Sequence, residues 1–87
     1  MHPWGRAIQH AVERFRLEAS APVIAELEAG RCAAGLNGQE WYRCTREVLE
    51  RFLASRVPTA GTRAAIEDAL QVIQTIESSW KEYLTRG

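Results

Sequence analysis

Apolar residues recur every three or four positions along most of this chain, a spacing that predicts amphipathic helices. Pro22 and Pro58, together with several glycines, interrupt the spacing, and these residue types mark helix ends and turns. No stretch alternates between apolar and polar residues for long enough to predict a β-strand. The pattern therefore predicts an all-α fold: one domain, 1–87, built as a small antiparallel bundle of three to four helices.

The first apolar stripe predicts a helix from about Trp4 to Ala19. Its apolar positions are Trp4, Ala7, Ile8, Ala11, Val12, Phe15 and Ala19. Ser20 two residues ahead of Pro22 is typical of a helix start, because serine caps an N-terminus and proline is tolerated in a first turn. A second, short helix is therefore predicted, and it would end at Gly30 in a left-handed cap. A single kinked helix over 4–29 is the alternative.

A third helix is predicted from Gly38 to about Arg56. Asn37 stands three residues before Glu40, which is the spacing of a capping box. The apolar positions of this helix are Trp41, Cys44, Val48, Leu49, Phe52 and Leu53, with Tyr42 at one edge. The opposite face predicts ion pairs between residues four apart, namely Arg43–Glu47, Arg46–Glu50 and Glu47–Arg51.

The last helix is the longest that the pattern predicts. Pro58 ends the helix before it, Thr59 or Thr62 caps the new one, and the apolar spacing continues to about Thr85. Its apolar positions are Ile66, Ala69, Leu70, Val72, Ile73, Ile76, Trp80, Tyr83 and Leu84. The short connection predicts that the last two helices form an antiparallel hairpin at the C-terminal end of the chain.

The apolar faces of the two long helices are wider than one neighbour requires. They cover about 180° and about 160° of the helix circumference, whereas a helix resting on a single neighbour needs about 100°. Monomers seldom leave a large apolar patch in water, so the excess predicts a partner surface or a second copy, and we expect a homodimer. The predicted interface residues are Tyr42, Val72, Ile76, Trp80 and Tyr83, because large aromatic and aliphatic side chains dominate interfaces.

Composition sets limits on the function. The chain has 87 residues and a net charge of zero, which excludes a multi-domain enzyme and argues against a general polyanion-binding tail. No apolar stretch is long enough to span a bilayer, and the first residues lack the apolar segment of a secretory signal. We therefore expect a cytoplasmic protein without membrane contact.

Candidate catalytic and metal-binding residues are few. His2, His10, Cys32 and Cys44 are the histidines and cysteines of the chain, and they show none of the short spacings that place metal ligands together. Free cysteines in a reducing compartment are usually buried thiols, which is the expectation for both here. The sequence predicts no enzyme, no metal site and no cofactor.

Nucleic-acid binding is the alternative function. Ten of the eleven basic residues are arginine, the residue that pairs best with phosphates. Arg43 and Arg46 are the predicted contacts, and a strip would form if the first and third helices lay side by side, adding Arg14, Arg16 and Arg51. Glutamates interleave with these arginines, so a solvated ion-pair face is favoured. The sequence thus favours a non-catalytic protein-interaction module, an adaptor, regulator or inhibitor, over a small subunit of a nucleic-acid-bound complex.

Overall fold

The computed structural model describes the backbone of residues 3–35 and 37–86 and the side chains of 5–35 and 37–82. Four helices follow one another: α1 (Pro3–Glu18), α2 (Ala21–Ala34), α3 (Gly38–Ser55) and α4 (Ala60–Arg86). The described residues contain no strand, so the predicted all-α bundle is confirmed. None of the described helices combines the length and apolar character needed to cross a membrane.

The helices pack as an antiparallel bundle. α4 makes its most extensive contact with α1, α2 packs on α3, and α3 also contacts α4. On α3 and α4, Tyr42 lies beside Trp80 and Arg46 beside Glu77, a register that only opposed helix directions give. The C-terminal hairpin is therefore present, although α4 has α1 as its larger neighbour. With 27 residues, α4 is about 40 Å long, nearly the 42 Å longest extent of the molecule.

The core lies between all four helices and contains most of the predicted apolar positions. Phe15 of α1 and Phe52 of α3 meet edge to face with ring centres 5.1 Å apart, a geometry that favours aromatic pairs. The buried apolar residues are Ile8, Ala11, Val12, Phe15, Leu27, Val48, Leu49, Phe52, Ala65, Ile66, Ala69, Ile73 and Ile76. Two buried threonines, Thr45 and Thr62, join them. The Thr45 hydroxyl donates a hydrogen bond to the Trp41 carbonyl oxygen at 2.9 Å, so it is satisfied.

The predicted end of the second helix is wrong. The chain remains helical through Gly30 to Ala34, and the left-handed glycine is Gly35, with φ 57°. Gly30 serves a different purpose, because a Cβ atom there would lie 2.1 Å from the Cys44 sulfur on α3. Glycine allows the two helices to approach closely at this point, so its position reflects tertiary packing rather than a helix terminus.

The other predicted boundaries agree with the structure. Residues 3–34 form two helices and not one kinked helix, with Ser20 extended at the junction, although its side chain makes no capping hydrogen bond. The Asn37 side chain accepts a hydrogen bond from the Glu40 backbone amide at 3.3 Å, as the capping spacing predicts. α4 begins directly after Thr59.

Candidate protein-docking surface

Among the described residues, no three histidine, cysteine, aspartate or glutamate side chains converge to hold a metal ion. His10 is exposed, and His2 lies outside the described residues. Cys32 is exposed, which corrects the expectation of two buried thiols, whereas Cys44 is half-buried. Burial raises the pKa of the Cys44 thiol, which disfavours the reactive thiolate.

The residues predicted for an interface are mostly turned toward the rest of the chain. Ile76 keeps 7 % of its surface exposed, and Val72 is half-buried against the core. Tyr42 and Trp80 are also half-buried, and they pack against each other with ring centres 5.5 Å apart. The side chain of Tyr83 lies outside the described residues. The four-helix arrangement thus covers much of the wide apolar arcs, and these residues offer little surface to a partner.

One end of the bundle is closed by an aromatic row, which we call the aromatic end and define by Arg31, Trp41, Tyr42 and Trp80. Trp41 and Tyr42 meet edge to face at 5.0 Å. The Arg31 guanidinium carbon lies 4.0 Å above the Trp41 ring centre, a favourable cation–π contact. Burial lowers the pKa of Arg31, in agreement with a guanidinium that lies against the protein.

The arginines that the alternative function requires are paired with carboxylates. Arg43 contacts Glu40, one turn earlier in α3. Arg46 binds Glu77 of α4 at 2.7 Å and approaches Glu50 at 3.6 Å, and the hydrogen bond to Glu77 raises the pKa of Arg46.

Two of the other strip arginines also reach across helices: Arg16 pairs with Glu28 and Arg51 with Glu26. Of the three predicted pairs within α3, Arg46–Glu50 forms, while Arg43 and Arg51 take the partners just given. The strip is thus an ion-pair surface, as the interleaved glutamates favour, and its positive charge is largely neutralised.

The opposite end of the bundle is held by a polar cluster around Glu18, and we call it the Glu18 end: residues 17–22 and 55–62. Glu18 accepts from the Thr59 amide at 2.9 Å, from the Thr59 hydroxyl at 2.8 Å and from the Thr62 hydroxyl. Arg14 donates to Thr62 at 3.3 Å, and Arg56 donates to the Glu18 carbonyl at 2.8 Å.

The polar cluster caps the start of α4, although Glu18 itself belongs to α1. The hydrogen bonds from Thr62 and Thr59 hold the pKa of Glu18 below its ordinary value. A carboxylate at the start of α4 satisfies unpaired amide donors and complements the positive helix terminus. Glu18 therefore ties the end of α1 to the beginning of α4.

The same end carries the large apolar side chains that remain most exposed among those the structure describes. Leu17, in the last turn of α1, is 76 % exposed, and Val57, in the connection before α4, is 92 % exposed. The contact between Arg56 and Glu18 brings their two chain segments together. Exposed apolar patches mark surfaces for association, so these two joined segments are the candidate docking surface.

An apolar groove between α2 and α3 reaches the same end of the bundle, where Ser20 and Arg56 line it. It has a volume of about 670 Å³ and is lined by the side chains of Val23, Val48 and Phe52. Arg56 lines one end and the ion pair of Glu26 with Arg51 lines the other. The Glu18 end thus combines two projecting apolar side chains with an apolar depression.

The sequence contained a signal for this surface that the periodicity did not use. Leu17 falls outside the apolar arc of its helix, two positions after Phe15, so it cannot share the side of α1 that faces the core. Val57 precedes Pro58 in the connection between α3 and α4, where Arg56 is extended. An aliphatic residue off the arc and another in a short connection are both candidates for exposure.

Comparisons of the chain with protein-family models, with curated proteins and with solved structures give no match.

Proposed function

We propose that this chain is a non-catalytic protein-interaction module that docks through the Glu18 end, using Leu17, Val57 and the groove between α2 and α3. One observation carries the proposal: the two large apolar side chains most exposed among the described residues, Leu17 and Val57, both belong to the Glu18 end, where Ser20 and Arg56 line an apolar groove. Covering apolar surface contributes about 25 cal/mol for each Å². A partner seated here would remove both side chains from water and fill the groove.

The charge around the groove would orient the partner. Arg56 at one end and the Glu26–Arg51 pair at the other form a polar rim. Polar rims around apolar centres are typical of protein interfaces and select the partner more than they strengthen binding. In this proposal the apolar residues supply affinity and the rim supplies orientation.

The aromatic end is the rival docking place within the same function, because Tyr42 and Trp80 were predicted from their position on the wide faces. Both retain part of their surface, and aromatic side chains are frequent anchors at interfaces. Their mutual packing makes them the weaker candidates, since association gains only from the area that is still exposed.

Site-specific photo-crosslinking in the native host tests the proposal. A benzophenone amino acid replaces Val57 in one variant, Trp80 in a second and Gln71 in a third. Gln71 is exposed on α4, away from both ends, and serves as the control.

We expect defined protein adducts from position 57, whether to another protein or to a second copy, and only background from position 71. Adducts from position 80 alone would move the docking surface to the aromatic end. Equal background from all three positions would overturn the interaction function, and adducts to nucleic acid would replace it with the alternative.

A further inference from the structure

We propose that the groove beside Arg31 at the aromatic end binds a small organic anion, a single carboxylate carried on an aromatic ring. The groove is lined by residues of α1, α2 and α3 and has a volume of about 350 Å³, which lies within the range of about 300–1,000 Å³ that is usual for ligand clefts. This site goes beyond the proposed function, because the docking surface lies at the other end of the bundle.

Arg31 supplies the charge that an anion needs. Its guanidinium is half-buried over the Trp41 ring, and it forms no hydrogen bond or ion pair with the part of the chain that the structure describes. The carboxylate of Glu28 binds Arg16 instead, at 3.1 Å. Burial lowers the pKa of Arg31 most. The charge of Arg16 lowers it further, and the opposite effects of Cys44 and Glu28 are each smaller, so a bound carboxylate would supply negative charge that the guanidinium lacks.

The placement of Arg31 suits a planar anion. The guanidinium carbon lies 4.0 Å from the centre of the Trp41 ring, and this stacking holds the side chain in place, so a ligand does not have to order it. A guanidinium offers parallel N–H donors that match the two oxygens of a carboxylate. Arg16 of α1 lines the same groove, and its pair with Glu28 is exposed, which leaves Arg16 able to donate to the same anion.

The rest of the groove fits an aromatic ring with one negative charge. Its apolar lining comes from Ile8, Val12 and Tyr42, so a flat ring can pack there while the carboxylate faces Arg31. Glu13 also lines the groove. A second negative charge on the ligand would be repelled by the Glu13 carboxylate, which favours a monocarboxylate over a dianion such as a phosphate ester.

Nuclear magnetic resonance at constant ionic strength tests the site, with phenylacetate and naphthoate as probes. We expect each acid to move the Trp41 indole and Arg31 Nε–H signals saturably, with a dissociation constant of about 1 mM or lower. The amide signal of Val57, at the Glu18 end, should stay in place. Phenylacetamide keeps the ring without the charge, and acetate keeps the charge without the ring, so each should bind at least about tenfold more weakly.

Substitutions in the groove test the roles of its charges. Arg31→Gln should raise the dissociation constant for phenylacetate at least about tenfold, whereas Arg63→Gln, which removes an exposed arginine of α4, should leave it unchanged. Arg31→Lys keeps the charge but not the planar donors, so its dissociation constant should lie between the two. Glu13→Gln should lower the dissociation constant about twofold, because it removes a repelling charge. Glu13 is exposed, so this variant keeps the fold and tests the site independently of Arg31.

Absence of saturable signal movement with both acids would overturn the inference. So would equal binding of phenylacetate and phenylacetamide, or binding that Arg31→Gln does not weaken. Acetate that binds as tightly as phenylacetate would contradict the choice of an aromatic acid. None of these results bears on docking at the Glu18 end, and a lack of adducts from position 57 would leave the anion site standing.

Discussion

The Glu18 end and the aromatic end of the bundle treat their apolar side chains in opposite ways. At the aromatic end, Trp41, Tyr42 and Trp80 cover one another and leave only part of each ring exposed. At the Glu18 end, polar groups hold the helices together, and Leu17 and Val57 point into solvent. The end that is closed by hydrogen bonds is therefore the one with apolar surface to offer.

The difference follows from what each end has to connect. Two connections, 19–20 and 56–59, lie at the Glu18 end, and their backbone groups need partners. The Glu18 carboxylate accepts a hydrogen bond from the Thr59 amide, and Arg56 donates one to the Glu18 carbonyl oxygen, so polar contacts join the two connections. At the aromatic end, the last turns of α4 extend beside the start of α3, so flat rings fill the space.

The substitution with the largest expected effect on stability lies in the core near the Glu18 end. Phe15→Ala removes a fully buried ring that packs against Phe52, and it should lower the free energy of unfolding by about 3–5 kcal/mol. Urea unfolding at neutral pH measures it. Leu17→Ala, two positions away, should change the value by less than about 0.5 kcal/mol. Comparable losses from both would show that Leu17 is not an exposed docking residue but part of the folded core.

A smaller effect is expected at the aromatic end. Trp80→Ala should reduce the free energy of unfolding by about 2 kcal/mol, roughly half the cost of a fully buried ring, since Trp80 is half-buried against Tyr42. It should leave crosslinking from position 57 unchanged. Loss of that crosslinking without loss of stability would assign the docking surface to the aromatic end after all.

Glu18→Gln should lower the stability of the folded chain by less than Trp80→Ala does, and the loss should depend on pH. The hydrogen bonds from Thr62 and Thr59 lower the pKa of Glu18 in the folded chain. Its contribution to stability is therefore complete above the pKa of the unfolded chain and is lost as the pH falls through the lower, folded value.

Thermal unfolding should accordingly show the variant less stable than wild type at neutral pH, with the two converging in acid. Glu67→Gln, which breaks an exposed ion pair with Arg63 within α4, is the matched control and should change little at neutral pH. A gap between Glu18→Gln and wild type that stays constant into acid would contradict the role of Glu18 as a charged cap of α4.

The smallest effect belongs to the ion-pair surface between the two ends. Arg43→Ala should change the free energy of unfolding by less than about 0.5 kcal/mol, because its pair with Glu40 is exposed. Gel-shift assays at low salt should detect no binding of single- or double-stranded nucleic acid by wild type. Salt-sensitive binding that is lost in Arg43→Ala would support the alternative function instead.

Much of the fold was predictable because helix periodicity and caps are local. Asn37 and Glu40 marked the start of α3, and the positions of Ile66, Ala69 and Ile73 marked the buried face of α4. Gly30 was misread because nothing in the neighbouring sequence shows that Cys44 approaches it. The role of a residue that is set by a contact with another helix cannot be inferred from the sequence of its own helix.

The candidate surface was harder to predict for the same reason. Arc width indicated excess apolar surface, but which part of each arc another helix covers depends on the packing of α4 against α1. Ile76 was therefore expected at an interface and is buried. Leu17 lies off the apolar arc of α1, and that position indicated exposure. It was overlooked because the arc was used only to find core residues, and apolar residues outside the arc were not considered.

Nuclear magnetic resonance of the labelled chain, before and after addition of an extract of the native host, tests the comparison of the two ends most directly, because it observes both in one sample. We expect the methyl signals of Leu17, Val57 and Val23 to move when the extract is added, while the indole signal of Trp80 stays in place. Movement of the Trp80 signal with unchanged Leu17 and Val57 methyl signals would contradict the account and place docking at the aromatic end.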